Sequence, residues 1–309
     1  MPTSTQVKVG RRTLSLSNLD KVLYPGAGFT KGDVIRYYSQ IAPVLLPHMK
    51  DRALTLKRYP NGVENIFFYE KRCPSHRPEW VHTANIVSGR SQNRINYCLV
   101  DDEPTLVWVA NLASIELHTL LSKSKDPTRP TMMVFDLDPG PPAGVMDAVK
   151  IALRLRDLFD RIGLQCFAKT SGGKGIHVGV PLNTKVSFDD TKGFSRAVAV
   201  AMEQSDPQHV VSKMQKSLRG GKVFVDWSQN DEHKTTACVY SLRARERPTV
   251  STPVTWEELE RAMKKQDESL IVFEADDVIK RVEKKGDLWK PMLTLKQKLP
   301  AFEQVQEQV

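Results

Sequence analysis

The sequence predicts a mixed α/β (α+β) fold: a central mixed or antiparallel sheet flanked by helices, with an N-terminal sub-lobe. Three observations lead there. The second half alternates short apolar runs with amphipathic helical ones, and the first half holds two strand-like runs around a tight turn. The composition, 40% hydrophobic and 26% charged, sits near the average for globular chains. At 309 residues the chain has room for one large α/β unit or two modest domains, each with a core of its own.

Taken in order, residues 7–16 read as a short strand, followed by a turn at Tyr24-Pro25-Gly26 and a helix from about 31 to 48. Thr30 fits its N-cap, with Asp33 at the third helical position as a capping-box variant. Residues 54–59 and 64–69 read as antiparallel strands around Pro60-Asn61-Gly62. Residues 105–121 carry apolar side chains at helical spacing and run into a loop rich in Lys, Asp and Pro at 122–130. An apolar strand at 132–137, a loop at 139–144 and an amphipathic helix at 147–162, closed by Gly163, come next. Strands at 165–170 and 176–181 flank a glycine-rich turn. A helix near 194–203 follows, then strands at 223–227 and 238–241 that complete a mixed sheet. Beyond about residue 255 the chain reads as charged surface helices.

Forty-five Lys and Arg against 36 Asp and Glu give a net charge of +9, which favours polyanionic partners such as nucleic acid, nucleotides or an anionic surface. Cys73, Cys98, Cys166 and Cys238 are widely spaced with no C-x-x-C pair. That spacing suggests neither a disulfide framework nor a zinc site, and a reducing, cytosolic setting is expected. The first residues lack a signal-like apolar stretch, and no apolar run is long enough to cross a membrane.

The sharpest chemical signal is Val134-Phe135-Asp136-Leu137-Asp138-Pro139-Gly140, two carboxylates two residues apart at the end of an apolar strand. Side chains at i and i+2 share one face of a strand, so both can reach one hard cation such as Mg²⁺ or Mn²⁺ together. Alone, the same pattern is also that of a solvated strand-end turn. Asp226, leaving the apolar run Val223-Phe224-Val225, repeats it, and three acids at one sheet edge suit two-metal phosphoryl transfer. Thr170-Ser171-Gly172-Gly173-Lys174-Gly175-Ile176-His177 offers backbone N–H groups, Lys174 and His177 to an anion, or else is an ordinary hairpin turn. It lacks the Ser or Thr and the following helix of a Walker A loop. His118, inside the helical pattern, reads alone as a packed histidine. Lys213, Lys216, Arg219 and Lys222 precede Asp226, and Lys234, Arg243 and Arg245 follow it; this is a solvated face or a phosphate-neutralising cluster. Phe67, Phe68 and Tyr69, beside Lys71 and Arg72, offer base-stacking faces or core packing.

Six segments in collinear order, DKVLYP (20–25), LKRYPNG (56–62), VFDLDPG (134–140), TSGGKGIHV (170–178), KSLRGGKVFVDWSQN (216–230) and YSLRAR (240–245), closely resemble the polymerase domain of bacterial ATP-dependent DNA ligase D. That family belongs to the archaeo-eukaryotic primase superfamily, and the resemblance spans nearly the whole chain. It implies a primase-polymerase fold, with one polymerase domain over 1–300, sub-lobes at about 1–130 and 131–300, and a tail at 301–309. It implies metal ligation by Asp136, Asp138 and Asp226, with Lys57, His118, Ser171, Lys174, His177, Arg219 and Arg243 around an incoming NTP or dNTP. Lys21 and Lys31 resemble the pair that binds the 5′-phosphate of a downstream strand, and Phe67 or Phe68 resembles the template-stacking aromatic.

The implied activity is two-metal (Mn²⁺ or Mg²⁺) addition of ribo- or deoxyribonucleotides to a primer 3′-hydroxyl at gapped or broken DNA ends in non-homologous end joining. Ku and a ligase activity are the implied partners, with a preference for ribonucleotides, a monomeric state and a cytoplasmic, nucleoid-associated location. Many relatives follow the histidine with an aromatic and an arginine. Here Thr119-Leu120-Leu121-Ser122-Lys123 follows, and no Trp or Arg occurs before Arg129, which removes contacts made there from the carry-over. No ligase motif occurs before Val309, as expected of a free-standing polymerase or of an excised domain. A metal-dependent phosphodiesterase or nuclease would use the same acids without needing the Ser-Gly-Gly-Lys-Gly-x-His cradle. A non-catalytic end-binding module would bind 5′-phosphorylated DNA indifferently to metal.

Overall fold

The computed structural model describes residues 4–88 and 93–300, so the tail expected at 301–309 lies outside the described residues. The chain divides into two compact units, each made of discontinuous segments. One comprises residues 1–120, 235–251 and 273–287; the other comprises 121–234, 252–272 and 288–309.

The first unit is built on a sheet whose strands run in the order Thr235–Ala237, Ser114–Leu120, Leu54–Arg58, Asn93–Cys98 and Thr83–Ser88, with Phe68–Glu70 also paired to Leu54–Arg58. One face of the central strands carries Leu54, Leu56, Ile115 and Leu117, all nearly inaccessible. The helix Lys31–Met49 is fixed there by the Tyr38 hydroxyl, which donates to the Ile115 carbonyl at 2.6 Å. That helix begins where the sequence places it: Thr30 accepts from the Asp33 N–H and the Asp33 carboxylate accepts from the Thr30 N–H.

Several expectations for this unit are corrected. Residues 7–16 form a hairpin, Ser4–Val9 against Arg12–Ser17, because Gly10 takes a positive φ that turns the chain. The second strand after Pro60-Asn61-Gly62 starts only at Phe68. The helix expected at 105–121 is two elements. It runs as Glu103–Asn111, then Ala113 adopts φ 56° and breaks it, and a strand, Ser114–Leu120, follows. Finally, a disulfide joins Cys73 and Cys98, against the expectation of no disulfide. The two cysteines are 25 residues apart, a separation that no local motif announces.

The second unit holds a six-stranded mixed sheet in the order Val210–Val211, Val223–Asp226, Met132–Pro139, Ile176–Pro181, Phe167–Thr170 and Pro253–Val254. All neighbours are antiparallel except the first pair. One face carries Met133, Phe135, Leu137, Ile176, Val178, Val180 and Val225, all fully buried. It packs under the helix Val145–Arg161, where the Phe135 and Phe159 rings lie 5.4 Å apart. The opposite face is covered at one end by helical segments. There Val134 meets Phe188 of the helix Phe188–Ser205, and Gly179 lies against Trp289 and Met292.

Here too the details differ from expectation. The loop at 122–130 is a short hairpin, Ser122–Lys123 with Asp126–Pro130. The helix near 194–203 starts at Phe188, capped by Ser187 and Asp190. Residues 238–241 do not complete this sheet; the strand nearby is Thr235–Ala237, and it pairs with Ser114–Leu120 in the other unit's sheet.

Candidate active site

The other end of this face of the second unit's sheet carries the acids. Asp136 stands directly opposite Asp226 on one neighbouring strand and opposite His177 on the other, and His177 stands opposite Lys169. Lys169, His177, Asp136 and Asp226 therefore form one row across four strands. Asp138, two residues further on, shares their face opposite Phe224. Like charges placed directly opposite repel, with Cβ atoms about 5 Å apart. Each carboxylate is relieved by a different neighbour.

Asp136 Oδ1 lies 3.3 Å from His177 Nε2. The His177 Nδ1 lies 3.0 Å from the Nζ of Lys169, which is buried. An ammonium can only donate, so Nδ1 accepts, and the ring's proton sits on Nε2, facing the aspartate. Asp226 accepts from the N–H and hydroxyl of Ser228 at 2.9 and 2.5 Å and from the Gln229 amide at 2.9 Å, while Lys234 donates to the Ser228 hydroxyl. Asp138, with 59% of its side chain exposed, meets Arg219 Nη1 at 3.3 Å.

Arg219 lies over the Phe224 ring, 3.8 Å from its centroid, and donates to the Met214 carbonyl. Gly140 makes this possible: a Cβ there would come within 2.2 Å of the Arg219 carbonyl oxygen, so only glycine lets the 219–222 turn close against the strand end.

Ser171 through Gly175 does form the hairpin between Phe167–Thr170 and Ile176–Pro181. It is tied internally by the Ser171 hydroxyl, which accepts from the Gly173 and Gly175 N–H groups at 3.2 and 3.1 Å. Gly175 is pressed against the Leu137 carbonyl, where a Cβ would sit at 2.7 Å. Lys174 is exposed at the tip.

In the first unit, Lys57 pairs with Glu116 and Thr55 with His118 across adjacent strands, which puts Lys57, Glu116 and His118 on one face. His118 is thus a strand residue, against the helical expectation. The alternation Ile115-Glu116-Leu117-His118 is the period-2 signal that marks it. Glu116, missed by sequence reasoning, is at the centre. Its Oε1 lies 3.3 Å from Lys57 Nζ, 3.4 Å from the Tyr59 hydroxyl and 3.1 Å from the Ala244 N–H. Its Oε2 lies 2.9 Å from His118 Nε2 and 3.3 Å from Arg243 Nε, the latter an ion-pair contact without hydrogen-bond alignment.

Burial alone would raise the Glu116 pKa. The His118 hydrogen bond and the Arg243 and Lys57 charges outweigh burial and hold the carboxyl well below the usual range. Burial, aided by Arg243 and Lys57, lowers the His118 pKa despite Glu116, so the ring is neutral near pH 7. Three rings surround Lys57 Nζ, with centroids at 4.3 Å (Phe67), 5.3 Å (Tyr59) and 5.6 Å (Tyr69).

Phe67 and Phe68 face outward rather than into the core, beside Ile66, which is 88% exposed. Arg58 lies over Phe68 at 5.1 Å. Lys21 and Lys31 are adjacent: the Lys31 N–H donates to the Lys21 carbonyl at 2.8 Å. Lys21 Nζ reaches Asn61 at 2.9 Å, whereas the buried Lys31 Nζ donates to the Ser17 carbonyl at 2.6 Å. Burial and the charges of Lys21 and Arg58 lower the Lys31 pKa to about 8. The basic run divides, with Lys213 through Lys234 in one unit and Arg243 and Arg245 in the other.

Among the described residues no group of three His, Cys, Asp or Glu side chains is closed into a metal cage. The donor chemistry nevertheless fits a hard divalent cation: three carboxylates share one sheet face. Three acids set on one sheet face beside a glycine turn form an arrangement of the kind that phosphoryl-transfer sites use.

The sequence profile of the "LigD, primase-polymerase domain" family matches residues 30–289, and the chain belongs to that family. It is 40% identical over 283 residues to the multifunctional non-homologous end joining DNA repair protein LigD of Mycobacterium tuberculosis (strain H37Rv), covering 89% of this chain and 36% of that protein. It is 31% identical over 274 residues to the bifunctional non-homologous end joining protein LigD of Bacillus subtilis (strain 168), covering 88% of this chain and 43% of that one. The chain thus spans well under half the length of these relatives. Among solved structures, the polymerase domain from Mycobacterium tuberculosis ligase D in complex with DNA superposes with a TM-score of 0.84 at 38% identity, over 92% of this chain and 99% of that one. No helix among the described residues is long and apolar enough to cross a membrane.

Proposed function

We propose that this chain is a primase-type polymerase that adds ribo- or deoxyribonucleotides to a primer 3′-hydroxyl at gapped or broken DNA ends, in non-homologous end joining. The observation that carries the reading is the strand register that sets Asp136 opposite Asp226 with Asp138 on the same face. Asp136, Asp138 and Asp226 would hold the divalent metal, Mn²⁺ or Mg²⁺. When bound, such ions activate the attacking hydroxyl and neutralise charge on the leaving pyrophosphate.

The chain's own residues do the rest. His177, held by Lys169, orients Asp136. Arg219, Lys174 and Ser171 bind phosphate oxygens, and Lys57, His118 and Arg243 contact the nucleotide. Lys21 and Lys31 bind the 5′-phosphate of the downstream strand, and Phe67 and Phe68 stack on template bases. Ku and a ligase activity are the partners, and the chain works as a monomer in the nucleoid-bearing cytoplasm. The names of the relatives and the DNA-bound state of the matching structure support this reading.

Primer extension on a gapped duplex with each metal, supplying either ribo- or deoxyribonucleotides, tests it. The wild type is expected to extend and Asp138→Ala to lose at least about a thousandfold in rate while DNA affinity holds, because this acid serves the cation rather than the duplex. No extension by the wild type in either metal, or an unchanged rate in the variant, would overturn the assignment.

A further inference from the structure

Glu116 is an acid that neither the acidic row nor the nucleotide contacts account for. It is 2% exposed, and a carboxylate so far from water is costly to keep unless its oxygens are fully partnered. Its five neighbours come from three separate stretches of chain: Lys57 in one strand with Tyr59 just past its end, His118 from the next strand, and Arg243 with the Ala244 N–H from the segment that returns to this unit after residue 234. A lysine and an arginine face one carboxylate, so the group keeps a net positive charge for a polyanion while each member is held in place.

The hydrogen bond to His118 has a further effect. An ionised carboxylate can only accept, so the imidazole proton facing it sits on Nε2, and Nδ1 is left carrying the lone pair.

We infer that Glu116 is a positioning residue: without touching substrate, it holds Lys57 and Arg243 at fixed places and fixes the Nε2-protonated tautomer of His118. The inference rests on the polymerase reading above for its kinetic consequence, but not for its tautomer consequence. A positioning residue for groups that bind the nucleotide in the ground state and transition state alike changes KM, whereas one that merely stabilises the fold reduces the active fraction and so kcat.

The test is Glu116→Gln, which keeps the shape and removes the charge. In the folded variant the KM for the incoming nucleotide is expected to rise roughly tenfold or more, the scale of a lost charge-assisted hydrogen bond. The same variant should change kcat less than KM and leave gapped-DNA affinity within about twofold. In a double-mutant cycle with Lys57→Met the two effects on KM should be less than additive, because the second change removes what the first had already freed. A ¹⁵N spectrum of the imidazole of His118 reads the tautomer directly. The wild type is expected to be protonated at Nε2 and Glu116→Gln to lose that preference, because the amide can donate as well as accept.

If the amide variant does not fold, Glu116→Asp, with the charge kept and one methylene removed, carries the same tautomer and KM measurements. A folded variant with unchanged KM and an unchanged ¹⁵N pattern overturns the inference. If the wild type fails to extend primers, the polymerase reading falls, and the spectrum still decides on Glu116.

Discussion

In the unit carrying Asp136 a buried ammonium, Lys169, backs a row of acids through His177. In the unit carrying His118 a buried carboxylate, Glu116, backs a group of cations. The two clusters differ in how far they are finished. Glu116 has both oxygens satisfied and its side chain almost closed to water, so its cations are already held. The acids each have a different partner: Asp138 is largely exposed and pairs with Arg219, and Asp226 faces its own Ser228 and Gln229. The cationic group is therefore held together by one shared partner, whereas the acidic row is arranged by strand register and each acid keeps a partner of its own.

The comparison breaks most directly at Lys169. Lys169→Met removes the donor that fixes the His177 tautomer, and nucleotide addition should fall about 10- to 100-fold, as for other residues one step behind a ligand. Single-turnover rates measure this, and a rate within twofold of wild type would show that register alone orients Asp136.

A backbone change comes next in size. Gly140→Ala forces a Cβ toward the Arg219 carbonyl and should cost about 1–3 kcal/mol of stability by chemical denaturation, as other overpacked sites do. It should also separate Arg219 from Asp138, and an unchanged denaturation midpoint would contradict the close approach.

The smallest effect sharpens the contrast on the cationic side. Lys31 titrates near pH 8, so its charge is lost as pH rises through that value, while a terminal phosphate stays dianionic. Preference for a 5′-phosphorylated gap should therefore weaken a few-fold between pH 7 and pH 9, as read by fluorescence anisotropy on matched duplexes. The sign for stability is the reverse. The unfolded lysine keeps its proton to about 10.5, so above pH 8 the unfolded chain binds more protons and folding stability rises with pH in that window. A phosphate preference that holds steady across this range would remove Lys31 from the role.

What the sequence made legible were features encoded within a few residues. The Thr30–Asp33 cap, the apolar strand ending in Asp136 and Asp138, and the hairpin holding Ser171 all depend on short-range pattern. Ser187 and Asp190 carried the same capping signal for the helix placed too late in the chain. What escaped depends on pairing between distant segments. Glu116 acquires its meaning from Lys57, 59 residues earlier in the chain, and from Arg243 much later, and no local spacing joins them. Lys169 escaped for another reason: its partner His177 is only eight residues away across the hairpin, but a lysine in a strand belongs to no motif of its own. His118 was hidden because Ala113 breaks a helix without glycine or proline to announce it.

Arg219 has one last implication. Beside Asp138, over Phe224 and with its Nε left without a hydrogen-bond partner, this guanidinium acts as the protein's own substitute counter-ion. On the proposed polymerase reading, a cation arriving at Asp138 would compete with it and a nucleotide phosphate would draw it away. Metal and nucleotide should then each bind more tightly in the other's presence than either does alone.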